Sequence, residues 1–377
     1  MAETPTQGAP SETFKPIAPR PPPRNAVGPL RWMRENLFSS PLNVILTLIG
    51  VYLIWLIVPP FIDWALLSAD FTGTSADDCA SDGACWVFIG RRFDFFIYGF
   101  YPDAERWRVD IMFVMLAAFL VPQFIPGFPA QGRKWLGIFG LTLFPVIAGA
   151  LLLGGVFGLP FIETGKWGGL MLTLVLSYVG IVAALPIGTL LALGRRSSMP
   201  VIRTICVTFI ELWRGVPLIS VLFMASVMLP LFLPEGVNFD KLLRALIGIV
   251  MFQSAYMAEV IRGGLQGIPK GQYEAASALG LGYWRSTALI ILPQALKMVI
   301  PGIVNTFIAL FKDTTLVLII GLFDILGTVQ AAIVDPAWGR VAVEGYVFAA
   351  FCFWIFCFGM SRYSQGLERK LHTGHQR

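Results

Sequence analysis

Residues 274–293 read EAASALGLGYWRSTALIILP, a polar turn set between two hydrophobic stretches. Glu274, Ala275 and Ala276 are followed by Gly280 and then by Ile290, Leu292 and Pro293, in the spaced form EAA-x3-G-x9-I-x-LP. Upstream, Gly263, Gly264, Gly267, Pro269 and Gly271 are expected to break the helix of the preceding apolar run. Tyr273 to Leu279 then predicts a short helix. Ala275, Ala276 and Ala278 keep its faces slim, so its backbone can sit deep in a partner's groove. Gly280 permits a tight exit turn, and Pro293 suits a helix start or kink.

Outward from this turn the chain is too apolar for a soluble globular protein. Of 377 residues 56% are hydrophobic and only 14% charged, where a soluble domain would carry about a quarter; the mean hydropathy is +0.71. A bilayer-spanning helix needs roughly 20 apolar residues, because its backbone finds hydrogen-bond partners only within itself. Eight runs meet that need: about 42–62, 109–126, 136–160, 168–194, 204–233, 245–261, 298–322 and 342–360. The expected fold is all-α and polytopic, with about eight transmembrane helices. The fifth run is overlong and carries Pro217, so it is expected to tilt, kink or lie partly in the interface.

Lys and Arg set the orientation. With the N-terminus inside, the inner segments hold 18 of the 28 basic residues and the outer loops 8, while Arg214 and Lys312 fall within spans. Of 23 acids, 15 lie outside or at that border and 5 inside. Both termini are therefore expected on the cytoplasmic side, and the net charge of +5 reads as topology, not as a nucleic-acid signal. Residues 1–40 are polar and rich in proline, which predicts an extended, disordered lead. With no short apolar core before the first span, no cleavable signal peptide is expected.

Residues 41–162 carry three spans and an outer loop at 63–108; residues 165–365 carry five spans and the motif-like polar insertions; 366–377 form a second tail. The outer loop places Asp70, Asp77, Asp78 and Asp82 near Trp86, Phe88, Phe93, Phe95 and Phe96. That aromatic run either lies on the membrane surface or forms a small folded cap. Cys79 and Cys85 share this loop and form a disulfide if that side is oxidising. Cys206, Cys352 and Cys357 fall in spans as small apolar fillers. No internal repeat is visible, so one chain does not supply the two halves that alternating access usually needs.

The pattern at 274–293 resembles the EAA loop of permease subunits of binding-protein-dependent ABC importers, every specified position matching. The wider wording RGGLQGIPKGQYEAASALGLG is similar to the polar amino-acid permeases of the histidine, glutamine, glutamate and arginine type. NTFIALFKDTTLV (Asn305 to Val317) and ELWRGVPL (Glu211 to Leu218) resemble the same subfamily. The resemblance covers about residues 165–365; the three earlier spans and outer loop are similar in layout to the M-type permeases of general L-amino-acid systems. It implies a heteromeric assembly in a bacterial inner membrane: a homologous permease subunit, an ABC ATPase dimer, a periplasmic amino-acid-binding protein and an L-amino-acid substrate. It also implies that Glu274, Ala275, Ala276 and Gly280 dock in the ATPase. This chain would bind no cofactor; ATP and magnesium belong to the ATPase. An opine or another polar solute is the alternative cargo.

Charges inside spans are costly, at least about 2.5–3.5 kcal/mol each on insertion scales, so each demands a reason. Glu211 and Arg214 are three apart and are expected to pair on one helix face. Asp313 is the candidate for a substrate ammonium, with Thr314 and Thr315 as hydroxyl partners, and Arg214 or Lys312 for the carboxylate. The bland reading is that these charges pair with one another or with the sister subunit and lock helix packing. Glu259 is expected to be an interfacial anchor.

No GxxxxGK[ST] occurs, and His372 and His375 lie in the inner tail, so neither a phosphate cradle nor a buried metal site is expected. A membrane enzyme would need better metal-binding acids than Asp77, Asp78 and Asp82. A self-sufficient channel or secondary transporter would not need the EAA turn.

Overall fold

The computed structural model describes residues 28–79, 82–125, 127–156, 158–232, 234, 239–338 and 341–372. The lead expected at the N-terminus lies outside these residues up to position 27, as does His375. Residues 29–36, read from sequence as part of that lead, form helix α1 (Pro29–Asn36). The chain divides into two compact units, Met1–Ala69 and Asp70–Arg377.

In the first unit Ser40 caps α2 (Pro41–Ile62), its side chain accepting from Asn43 N at 3.2 Å, with Pro41 at the first helical position. This helix is apolar on every side, as lipid demands. Pro59 and Pro60 remove two ladder donors near its end, and the chain continues as a π turn, Asp63–Leu67.

The second unit contains α3 (Trp86–Tyr98), α4 (Arg106–Phe124), α5 (Ala130–Leu153), α6 (Gly169–Arg195), α7 (Pro200–Gly215), α8 (Leu218–Phe223) and α9 (Lys241–Gly267). There follow α10 (Lys270–Ala278), α11 (Tyr283–Ser286), α12 (Leu292–Met298), α13 (Ile300–Asp313), the short strand β1 (Phe323–Asp324), α14 (Ile325–Ile333) and α15 (Ala342–His372). Among the described residues seven helices are long and apolar enough to cross a membrane, and the bent pair Pro200–Gly215 with Leu218–Phe232 makes an eighth if counted as one span. The bend is 102°. Pro217 causes it locally: its ring forces Val216 into extended backbone (φ −113°, ψ 134°), and Pro217 then caps α8.

The third expected run is displaced. α5 begins at Ala130, taking Arg133 and Lys134 into its first two turns, and ends at Leu153 where Gly154 turns left-handed (φ +68°). Charges at a span's end belong to the helix because they reach the headgroups while its backbone stays bonded.

α6 and α9 are the most extensively packed pair. Met171, Leu172 and Leu176 meet Ala245, Ile249 and Phe252 in one cluster. Ala192, Met257, Ile261 and Leu265 continue it toward Ile291 and Ala295 in a second. Within lipid such contacts stabilise by close packing, not by water exclusion.

In the second unit, the described part of the loop expected outside folds as a cap. Phe88 and Phe96 are fully buried, Phe88 against Trp338 (ring centroids 5.4 Å) and Phe96 against Phe348 (5.2 Å). For a ring taken out of water, each such burial stabilises by about 1.5–3 kcal/mol. Cys79 and Cys85 are bonded to each other. The Cys85 amide donates to Glu344 Oε1 at 3.0 Å, and Arg92 pairs with Asp335, joining the cap to α15 and to the α14–α15 connection.

Candidate functional site

The segment 274–293 is a hydrogen-bonded succession of short helices. α9 does not break at Gly263 or Gly264; it runs to Gly267. Gly264 is there for proximity, since a Cβ on it would lie 2.6 Å from the Ala295 carbonyl oxygen. Ile268 and Pro269 turn the chain, and α10 starts at Lys270, a turn earlier than the sequence suggested. Its exit is a Schellman motif: Leu281 N donates to Ala276 O (3.1 Å), Gly280 N donates to Ser277 O (2.9 Å), and Gly280 is left-handed at φ +71°. α11, a π turn at Thr287–Ile291 and α12 follow, with Pro293 in the first turn of α12.

Glu274, Ala275 and Gly280 face outward, beside Leu279 (75% exposed), Tyr283 (59%) and Trp284 (69%). Ala276 does not share that surface. It is 1% exposed and faces the protein's own interior, because inward and outward positions alternate round a helix laid on its own core. The exposed trio Leu279, Tyr283 and Trp284 was missed from sequence, although two adjacent aromatics three residues past Gly280 were a visible signal. Behind the helix, Arg196 Nη1 donates to Leu265 O (2.7 Å) and to Tyr273 Oη (3.2 Å), and its guanidinium lies 5.8 Å from the Tyr273 ring centroid. Gln294 Nε2 donates to Gln272 Oε1 at 3.1 Å.

Next to this anchor lies a charge network. Glu211 does not pair with Arg214. It accepts from Arg195 Nη1 at 2.8 Å, and the same nitrogen is 3.0 Å from Glu259 Oε1. Arg262 holds Glu259 through Nε and Nη2 at 2.8–3.1 Å, and Arg214 Nη1 stands 3.7 Å from Glu259 Oε2. Glu259 is thus the hub of three arginines from α6, α7 and α9, not a lone interfacial anchor. Arg195 wins Glu211 because it enters the space between helices, where one cation can serve two carboxylates. The sequence signal was five charges, Arg195, Glu211, Arg214, Glu259 and Arg262, within or at the ends of three consecutive spans.

Asp313, at the end of α13, is half-buried and accepts from Gln253 Nε2 at 3.5 Å. Thr314 is fully buried and donates to Phe311 O (2.9 Å); Thr315 donates to Lys312 O (2.9 Å). Both hydroxyls are spent on their own helix, so neither partners Asp313, and Lys312 is exposed. Arg214 lies 5.7 Å from the Tyr256 ring centroid. Gln253 and Tyr256 are three apart on α9 and share a face. One face of α9 therefore carries contacts to an acid from α13 and to a cation from α7.

Beyond the spans, Asp78 accepts from Thr74 N (2.6 Å) and Ser75 N (3.0 Å), which hold its carboxyl below the usual range. Burial pushes Asp324 up to about 6 against the pull of its bonds from Gly327 N and Leu326 N. Tyr98, desolvated and donating to Asp110 at 2.6 Å, is pushed up to about 12.

These features define a polytopic helical membrane subunit that presents a short, capped helix between two spans. The chain belongs to the family described as binding-protein-dependent transport system inner membrane component, whose model matches residues 184–373. It is a transport subunit, not an enzyme. It is 56% identical over 359 residues to the inner membrane amino-acid ABC transporter permease protein YhdY of Escherichia coli, covering 94% of this chain and 96% of the relative. It is 41% identical over 429 residues to the glutamate/glutamine/aspartate/asparagine transport system permease protein BztC of Rhodobacter capsulatus, covering 96% and 98%. A crystal structure of an amino acid ABC transporter with histidines is similar at 31% identity and a TM-score of 0.47, over 54% of this chain and 92% of that one.

Proposed function

We propose that this chain is a permease subunit of an ATP-driven importer of polar amino acids in a bacterial inner membrane, with both termini cytoplasmic. It works with a homologous permease, an ABC ATPase dimer that carries ATP and magnesium, and a periplasmic amino-acid-binding protein. The observation that carries this reading is α10: a short helix closed by a Schellman turn, with Glu274, Ala275 and Gly280 outward beside exposed Leu279, Tyr283 and Trp284. A stiff helix with a slim, partly apolar outer face can seat in a partner's cleft and move as one body. The amino-acid names of both long relatives support the cargo class. The bonded Cys79 and Cys85 fit an oxidising outer side for the cap.

An amino acid carries one carboxylate and one ammonium. Asp313 serves the ammonium and Arg214 the carboxylate, both brought to α9 by Gln253 and Tyr256. The test is ATP hydrolysis by the reconstituted four-component complex against a panel of amino acids. Stimulation by polar amino acids upholds the reading; a complex that assembles and hydrolyses ATP but responds to none overturns it.

A further inference from the structure

Six arginines of the second unit meet a carboxylate, while others, such as Arg196 and buried Arg244, are held by backbone carbonyls. Arg92 pairs with Asp335, Arg106 with Asp94 and Asp103, Arg108 with Glu105, and Arg195, Arg214 and Arg262 with Glu259. Arg133 and Arg362 do not. Among the described residues neither has a carboxylate within ion-pair distance. Both line one cavity of about 490 Å³, formed where the end of α4 (Gln123, Phe124), the first turn of α5 (Arg133) and the late turns of α15 (Arg362, Tyr363) meet. Gly359 and Gly366 leave it width on the α15 side.

Arg133 is held in place but not neutralised. Its Nη2 donates to Ile125 O at 2.8 Å, while its Nε is buried without a partner. Gln123 fixes the backbone there, donating from Nε2 to Arg133 O at 3.1 Å. Phe124 and Tyr363 close the far wall, ring centroids 4.7 Å apart, and Arg362 lies 5.8 Å from the Phe358 ring centroid. The positive end of the 24-residue α5 adds to the field of the two guanidinia.

The place of the cavity identifies its occupant. Phe124 ends one membrane-crossing helix, Ala130 begins the next, and Arg362 is in the last turns of a third, so the cavity sits at a membrane boundary. Phosphodiester headgroups lie at that depth, and Trp135 (61% exposed) supplies the aromatic anchor usual there. Away from the cavity the outer surface of α4 is apolar and open, with Val114 and Val121 67% and 53% exposed, a track for acyl chains. We infer that Arg133 and Arg362 form a binding site for the headgroup of an anionic phospholipid, its chains lying along α4. Basic pockets between spans on the cytoplasmic side take such headgroups.

Native mass spectrometry of the complete transporter complex, with dioleoyl phosphatidylglycerol as probe, tests this. Wild type should retain the lipid, and phosphatidylcholine should not replace it. The double variant Arg133→Gln, Arg362→Gln should bind about thirtyfold more weakly, roughly fivefold for each basic residue near an anionic surface. Arg133→Lys with Arg362→Lys should keep much of the binding, and covers the case in which the glutamine pair fails to assemble. Equal retention of phosphatidylcholine, unchanged retention by the glutamine pair, or loss of binding in the lysine pair would overturn the site. Displacement by millimolar inorganic phosphate would also overturn it, as a free-anion site.

Discussion

Arg196 and Tyr273, 77 positions apart, join the end of α6 to α10: the guanidinium donates to the tyrosine hydroxyl at 3.2 Å and overlies its ring at 5.8 Å. One residue earlier, Arg195 reaches the other way, to Glu211 and Glu259. Two adjacent arginines thus connect α10 to the network that holds α7 just before its 102° bend. A displacement of α10 would reach the bend through two side chains on a single stretch of helix end.

Arg196→Gln removes both donations and the ring contact while leaving Arg195 in place. The variant should assemble and keep its basal ATP hydrolysis. Stimulation by the binding protein should fall about tenfold, on the scale of roughly 1.4 kcal/mol of lost coupling. The measurement is ATP hydrolysis with and without the binding protein. Unchanged stimulation would remove Arg196 from the transmission path.

Gly280 occupies left-handed backbone with open space where a Cβ would stand, so the cost of a side chain there is conformational, about 1 kcal/mol. Gly280→Ala should therefore assemble and transport at a reduced rate. Gly280→Asp adds a charge to the outward surface beside Leu279 and Trp284, and should abolish uptake while the subunit still reaches the membrane. Uptake and ATP hydrolysis measured together on the same vesicles distinguish lost coupling from lost protein.

How much of this was legible in the sequence follows from the range of each interaction. Apolar runs and Gly–Pro punctuation are local signals, so the spans, the short helix and the Gly280 turn could be read directly. Pro217 announced a bend, but its 102° depends on what α7 and α8 pack against. Gly263 and Gly264 looked like breakers because glycine disfavours helix; at Gly264 packing overrode that, since only glycine lets α9 approach Ala295 so closely, while Gly263 faces open space. The partners of Glu211, Arg214 and Asp313 could not be read. Spacing along one helix names its neighbours, whereas Arg195, Glu259 and Gln253 come from other helices.

Glu259 and Glu211 should respond differently to loss of charge. Glu259→Gln leaves three arginines facing one another at a side chain only 15% exposed, and should destabilise the protein by about 3 kcal/mol. Glu211 is 55% exposed and bound to one arginine, so Glu211→Gln should cost under about 1 kcal/mol. Thermal unfolding in detergent, compared between the two variants, checks the order. Equal shifts would show that Glu259 is not the hub.

Asp324 supplies the pH dependence. It is fully buried, caps α14 by accepting from Gly327 N at 2.8 Å, and keeps Oδ2 without a partner. Its pKa is raised from 3.8 to about 6 in the folded protein, so folding favours the protonated acid. Its contribution is fully present below about pH 4, is lost as pH rises through about 6, and amounts to about 3 kcal/mol. The wild type should accordingly melt higher at pH 5 than at pH 7.5. Asp324→Asn keeps the cap acceptor without the charge, and should raise the melting temperature at pH 7.5 while flattening this part of the profile. A variant with the wild-type slope between pH 5 and 7.5 would place that dependence in another group.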